Sequence, residues 1–389
     1  MVQQRDDGQS RDAAAWTRLK PGQTVTLRAE SPLHKGAYEC SVIESSPERL
    51  RITMPMVDGR LVLVPVGTPV HVEGEAEGGT IALQARVIDR QGGSSRSLLL
   101  GPLPEPPAYL ARRPTGAPSR TIAVTSGKGG VGKTAFVVNL GVALCELGKR
   151  VCVVDGDLGT ANVDVILNLT PRFNLAHVIA GEKTIFEVLV EGPGGLVVLP
   201  GGSGLQELTD LGDRQFAKLR TQFQQLERYT DILLLDTGSG LSRSVTNFLR
   251  AAHETIVITT PEPHAITDAY ALLKVISRHE DDLTMRLVVN RTASREEAHD
   301  IGQKMLFASQ RFLGVDMTFL GYIPEDPAVG QAIRRQADLL STYPKSRAAE
   351  SIRRIAGTLL QEGEPNPEPA GGREGRRSFV QRIRAVLGR

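Results

Sequence analysis

The chain has 389 residues, 40% of them hydrophobic, with a formal charge of +2, enough length for two or three domains with their own cores. The near-neutral balance argues against a protein that coats nucleic acid. Cys40, Cys145 and Cys152 lack C-x-x-C spacing, which argues against an iron–sulfur centre and for a reduced, cytosolic chain. No run of 18 apolar residues is present to cross a membrane, and polar, acidic Met1–Ser10 lacks the character of a signal peptide.

After an N-terminal segment over 1–18, the first elements are short strands such as Thr24–Leu27, Arg51–Met54, Leu61–Val64 and Val70–Val72. Turn signals separate them at Asp58-Gly59, Gly67-Thr68-Pro69, Gly78-Gly79 and Gly92-Gly93. This punctuation predicts a small β-barrel domain over 19–103. Prolines at 104, 106, 107, 114 and 118 make 104–120 an extended, semi-rigid linker.

From Thr121 the pattern changes. Apolar strand cores at Ile122–Val124, Val151–Val154, Leu196–Leu199, Ile232–Leu235, Thr255–Ile258, Leu287–Val289 and Phe319–Ile323 alternate with helical stretches such as Phe136–Leu147, Gln206–Tyr229 and Ser294–Leu313. Continuous apolar strands with helical crossovers predict an α/β domain over 121–362, a doubly wound, mostly parallel sheet. A second flexible linker spans 363–377, and 378–389 reads as a short helix. At 100° per residue, Phe379, Val380, Ile383, Val386 and Leu387 share an arc of about 120°, flanked or opposed by Arg377, Arg382 and Arg384. A tethered basic amphipathic helix predicts a membrane-surface anchor. The competing reading docks it on its own α/β domain.

The run Ser126-Gly127-Lys128-Gly129-Gly130-Val131-Gly132-Lys133-Thr134-Ala135 follows the first of these strands and opens a helix. From Gly127 to Thr134 it fits G-x-x-x-x-G-K-[ST]. Its glycines let successive backbone N–H groups turn inward as an anion nest. Lys133 would reach the β- and γ-phosphates, the Thr134 hydroxyl would ligate Mg²⁺, and the helix would point its positive end at the phosphates. Ligands of doubly wound sheets collect at carboxyl strand ends, and three of these are acidic here. One runs into Asp155-Gly156-Asp157, another into Asp236-Thr237-Gly238, and Thr259-Thr260-Pro261-Glu262-Pro263 follows a third. Four apolar residues and then Asp236 give the form of a carboxylate that would hold Mg²⁺ through water. Phosphoryl transfer needs mainly positioning and charge neutralisation.

Lys128, an extra lysine that an ordinary P-loop does not require, makes this loop resemble the deviant Walker A of MinD/ParA ATPases. The resemblance covers about 120–360. It implies a MinD-like P-loop fold, ATP and Mg²⁺ as cofactors, and slow, partner-stimulated hydrolysis. Lys128 would reach across an ATP-sandwiched homodimer, and Asp157 would orient the attacking water and border the metal. Asn290 and Arg291, with Pro324 and Asp326, would flank the adenine base, although each also fits an ordinary turn. Asp155 fits a structural or switch-coupled role.

Asp155–Asp164, Pro200–Gly204, Asp236–Gly240 and above all Pro261–Lys274 resemble the FlhG (FleN/YlxH) branch, which regulates flagellar number. His264 departs from the small hydroxyl residue more usual there, a change to the surface near the switch rather than to the chemistry. The N-terminal β-domain resembles the domain that precedes the cyclic-di-GMP-binding half of flagellar brake proteins, through Leu19–Gln23, Met54-Pro55 and Arg112-Arg113. The motifs of that second half are missing, which leaves a protein-docking role. Asp12, Ala14 and Arg18 match a family segment that activates an FlhF-like GTPase; the same stretch also reads as a lead-in helix packing Trp16 on the barrel. The resemblance implies a cytoplasmic protein peripherally attached to the inner face of the cell membrane. Its partners would be an anionic lipid surface, an FlhF-like GTPase and flagellar basal-body proteins, with no specific nucleic acid. The alternatives are a ParA-like partitioning ATPase and a nucleotide-locked scaffold with little hydrolysis.

Overall fold

A computed structural model describes residues 16–29, 36–102 apart from short gaps at 48, 65, 67, 77–78 and 92–95, then 119–157, 163–202, 213–277, 284–361 and 379–386. Most of the expected linker at 104–120, the linker at 363–377, and the motif residues 12–15, 112–113, 158–162, 203–204 and Leu387 lie outside these. The chain divides into two compact units, one carrying a barrel and one a parallel sheet.

In the first unit β1 (Thr24–Ala29), β2 (Gly36–Ser45), β3 (Leu50–Thr53), β6 (Pro69–Ala76), β7 (Gly79–Gln91) and β8 (Ser97–Pro102) close in the order β1-β2-β3-β8-β7-β6. All their pairings are antiparallel. Alternate residues such as Val25, Leu27, Ile52, Val72 and Leu98 fill the interior. The expected strand at Leu61–Val64 shrinks to β5 (Arg60–Leu61), paired with β4 (Met56–Val57). Asp58 and Gly59 both take positive φ, 49° and 74°, the geometry of a two-residue hairpin. Val64 leaves this hairpin to bury itself in the barrel core. Trp16 does the same, and its carbonyl accepts from the Ser45 hydroxyl at 2.5 Å.

The second unit is built on eight strands: β9 (Arg120–Ser126), β10 (Val151–Gly156), β11 (Val190–Glu191), β12 (Val197–Leu199), β13 (Ile232–Ser239), β14 (Glu254–Thr259), β15 (Thr284–Thr292) and β16 (Met317–Pro324). Their order is β11-β12-β10-β13-β9-β14-β15-β16, parallel except for β11 at one edge. The longer helices are α1 (Lys133–Glu146), α2 (Asp213–Glu227), α3 (Arg243–Ala251), α4 (Pro263–Ile276), α5 (Arg295–Leu313), α6 (Pro327–Arg334), α7 (Arg347–Gln361) and α8 (Phe379–Val386). Two apolar layers cover the sheet. Alternating residues of β10 make the division visible, with Cys152 and Val154 in one layer and Val151 and Val153 in the other.

The strand order sets the site. β9 lies at the centre, with β13 on one side and β14 on the other. The chain leaves β9 toward β10 and later crosses back over β9 between β13 and β14. Such a reversal opens a crevice at the carboxyl ends of the strands, where an open α/β sheet takes its ligand.

Candidate functional site

The turn between β9 and α1 carries the glycine-rich loop. Gly130 and Gly132 take φ of 80° and 92°, which side chains rarely adopt. Gly127 is held by neighbours instead. A Cβ there would meet the backbone of α4, coming within 2.5 Å of the Ala269 nitrogen. A Cβ at Gly132 would meet the Asn290 amide nitrogen at 2.5 Å. The helix α1 starts on Gly132 with no side-chain cap and no acidic residue in its first turn. Its first N–H groups therefore remain available to an anion.

The two lysines of the loop have different surroundings. The Lys133 side chain is 8% exposed, and its Nζ bonds Asp236 Oδ1 at 2.5 Å in the carboxyl half of β13, which runs on to Ser239. Lys128 is 41% exposed at the rim. There it meets His264 and Glu262 of the turn that starts α4.

Asp236 is completely buried, and its second oxygen, Oδ2, has no hydrogen-bond partner. Burial pushes its carboxyl up, with Lys133 and Thr134 pulling the other way. A buried carboxylate oxygen without a partner is costly unless something cationic completes it. Together with Thr134 at the start of α1, this donor set fits Mg²⁺. In register, Asp155 of β10 stands beside Asp236 of β13. Asp155 is buried and pushed up to about 7, first by burial and then by Asp236. Its oxygens accept from the Asp157 and Val163 backbone nitrogens at 3.3 and 3.4 Å, a structural role. Asp157 is partly exposed just beyond β10, close enough to Asp236 to raise its carboxyl further.

The β13 end is pinned to the loop. The Thr237 hydroxyl donates to the Val124 carbonyl at 3.0 Å, and the Gly240 N–H donates to the Ser126 carbonyl at 3.0 Å.

Beside α1 lies a pocket of about 420 Å³ lined by Gly132, Ala135, Asn290, Arg291, Pro324 and Asp326, as well as Phe136 and Asn139. The Asn290 amide donates to the Val131 carbonyl at 2.7 Å, tying β15 to the loop. Asp326 is occupied by capping. Its carboxylate accepts from Ala328 at 2.9 Å and from Ala348 at 3.1 Å, fixing the starts of α6 and α7. Asn139 escaped the sequence reading. It faces the pocket from α1 and accepts from Leu339 at 2.7 Å.

The structure packs the C-terminal helix α8 on its own α/β unit. Phe379 and Ile383 are each 2% exposed. The Phe379 ring lies between Phe223 of α2 and Phe248 of α3, with centroids 5.5 and 6.5 Å away. Its N–H donates to Glu227 at 3.0 Å. Val386 is half-buried. Among the described residues no helix is long and apolar enough to cross a membrane.

A phosphate loop on the central strand, a buried lysine on a strand-end carboxylate and a base-sized pocket beside the first helix define a P-loop nucleotide-binding protein. Comparisons with known proteins narrow the class. Residues 119–289 match the AAA domain family model, and residues 20–101 match the flagellar protein YcgR model. The chain is 40% identical over 266 residues to the antiactivator FleN of Pseudomonas aeruginosa, covering 68% of this chain and 94% of that protein. It is 32% identical to the flagellum site-determining protein YlxH of Helicobacter pylori, over 69% of this chain and 91% of that protein. Among solved structures it is similar to the MinD cell division ATPase of Pyrococcus furiosus, with TM-score 0.51, 27% identity, and coverage of 63% of this chain and 99% of the other. MinD of Pyrococcus horikoshii, solved with Mg-ADP, gives TM-score 0.52 and 25% identity over 63% of this chain and 98% of that one. The chain belongs to the FleN/YlxH family of MinD-type ATPases, with a YcgR-type N-terminal domain added.

Proposed function

We propose that the chain hydrolyses ATP, dimerises around two ATP molecules, associates with the membrane while dimeric, and regulates flagellar number or placement. The observation that carries this reading is the split between its two loop lysines. Lys133 is sunk against Asp236, whereas Lys128 sits exposed at the rim. One active site needs only the first. A second cation facing outward from the same loop suits phosphates held by another copy of the chain.

Within one site, Lys133 would exchange Asp236 for the β- and γ-phosphates, and the backbone N–H groups of Gly129 to Ala135 would hold the remaining phosphate oxygens. Thr134 and Asp236, with Asp157 at the border, would hold Mg²⁺, which supplies charge neutralisation to the phosphates. Asp157 would orient water for attack. The pocket that Asn290, Arg291 and Pro324 help to line would take the base.

The flagellar assignment is supported by likenesses from two separate regions, FleN and YlxH for the ATPase and YcgR for the barrel. The barrel would dock protein, with an FlhF-like GTPase and basal-body proteins as partners. The apolar arc of α8 would reach an anionic lipid surface after leaving its groove, in a cytoplasmic protein held peripherally at the membrane.

Light scattering in ATP and in ADP tests the reading. Wild type should double in mass with ATP, whereas Lys128→Ala should bind ATP and stay monomeric. A normal Lys128→Ala dimer would refute the two-lysine argument.

A further inference from the structure

The exposed lysine of the phosphate loop is not free. Its Nζ is hydrogen-bonded to His264 Nε2 and lies 3.8 Å from a Glu262 oxygen. His264 Nε2 is itself 3.3 Å from that oxygen, and the Thr260 hydroxyl donates to it at 3.3 Å. The carboxylate is thus held in place by its own turn while it faces Lys128 and His264. This turn belongs to the element that presses on the loop, because α4 leaves no room for a Cβ at Gly127, one residue before Lys128. His264 therefore sits on a support held in register with the lysine.

We propose that His264 is a positioning residue that, with Glu262, clamps Lys128 to its own chain and so sets how readily the lysine reaches a second copy's phosphates. The proposal rests on the cross-dimer role of Lys128. An ammonium that donates to His264 must break that bond before it can donate to phosphate. Each dimer requires two such breaks. The imidazole nitrogen accepts from the ammonium. The groups facing His264 are Lys128 from the loop and Glu262 from its own turn.

The test is the dimer dissociation constant, measured by light scattering with a non-hydrolysable ATP analogue. His264 is largely exposed, so its replacement does not threaten the fold. His264→Ala should dimerise roughly tenfold more tightly than wild type, two part-exposed contacts being relieved per dimer. His264→Gln keeps an acceptor and should match wild type. Equal constants for wild type and His264→Ala, or a His264→Gln chain that dimerises like His264→Ala, would overturn the clamp. Lys128→Ala separates the two ideas. If it dimerises normally, the cross-dimer reading falls and the clamp with it. If it does not dimerise, and His264→Ala behaves as wild type, only the clamp falls.

Discussion

At the residue scale, the site is a contest between burial and charge. Asp236 tolerates complete burial because Lys133 neutralises it, and its spare oxygen reserves a place for a cation. Asp157 stays partly exposed, which suits the water-orienting role proposed for it. Asp157→Ala should therefore bind ATP and dimerise, yet lose hydrolysis by about 10²-fold or more, as when a general base is removed. Single-turnover phosphate release checks this, and a rate within a few-fold of wild type would move the role elsewhere. Gly127 allows a sharper steric test. Gly127→Ala places a methyl against the α4 backbone, which cannot rotate away. Nucleotide binding should drop by at least tenfold and thermal stability should fall, since overpacking against main chain costs roughly 1–3 kcal/mol. Calorimetric titration with ATP and a melting curve measure both effects.

The phosphate loop was legible in the sequence because its chemistry depends on fixed spacing within ten residues. Asp155 and Asp236 were legible because each closes the apolar run of its strand, although β13 itself runs on to Ser239. Asp326 as a double cap, Asn139 in the pocket and the His264 contact to Lys128 were not legible in the same way. Each depends on a partner from a distant part of the chain.

At the element scale, α8 shows why one pattern allowed two outcomes. An apolar arc is equally suited to lipid and to an aromatic groove, and periodicity does not distinguish them. The structure places Phe379 between Phe223 and Phe248 and caps the helix with Glu227. Burying a phenyl ring contributes roughly 1.5–3 kcal/mol. Phe379→Ala should therefore release the helix, read as loss of hydrogen-exchange protection over 379–386. Unchanged protection would show that the ring does not hold it. Glu227 adds a pH dependence. Burial pushes its carboxyl up to about 7, and the Phe379 N–H pulls it down by less. Undocking uncovers the group and lets it return toward the ordinary carboxylate range. The docked form therefore holds the proton more tightly. Docking should be strongest at low pH and weaken as pH rises through about 7. Exchange protection should follow that curve in wild type and flatten in Glu227→Gln.

At the scale of the whole molecule, the fold class was readable because strand–helix alternation and short punctuated strands leave different periodic traces. The barrel's register was less so. Asp58-Gly59 closes a hairpin too tight for the expected longer strand, and of the freed apolar residues Val64 goes to the core while Leu63 stays exposed. In the proposed dimer, two weak anchors would make the second lipid contact intramolecular, so attachment should require ATP. Co-sedimentation with anionic vesicles tests this most directly, using wild type, Asp157→Ala and a chain lacking 378–389. Asp157→Ala should sediment with ATP and not with ADP, and the truncated chain should stay in the supernatant with either. Equal sedimentation of wild type in ATP and ADP, or of the truncated and full-length chains, would contradict the account.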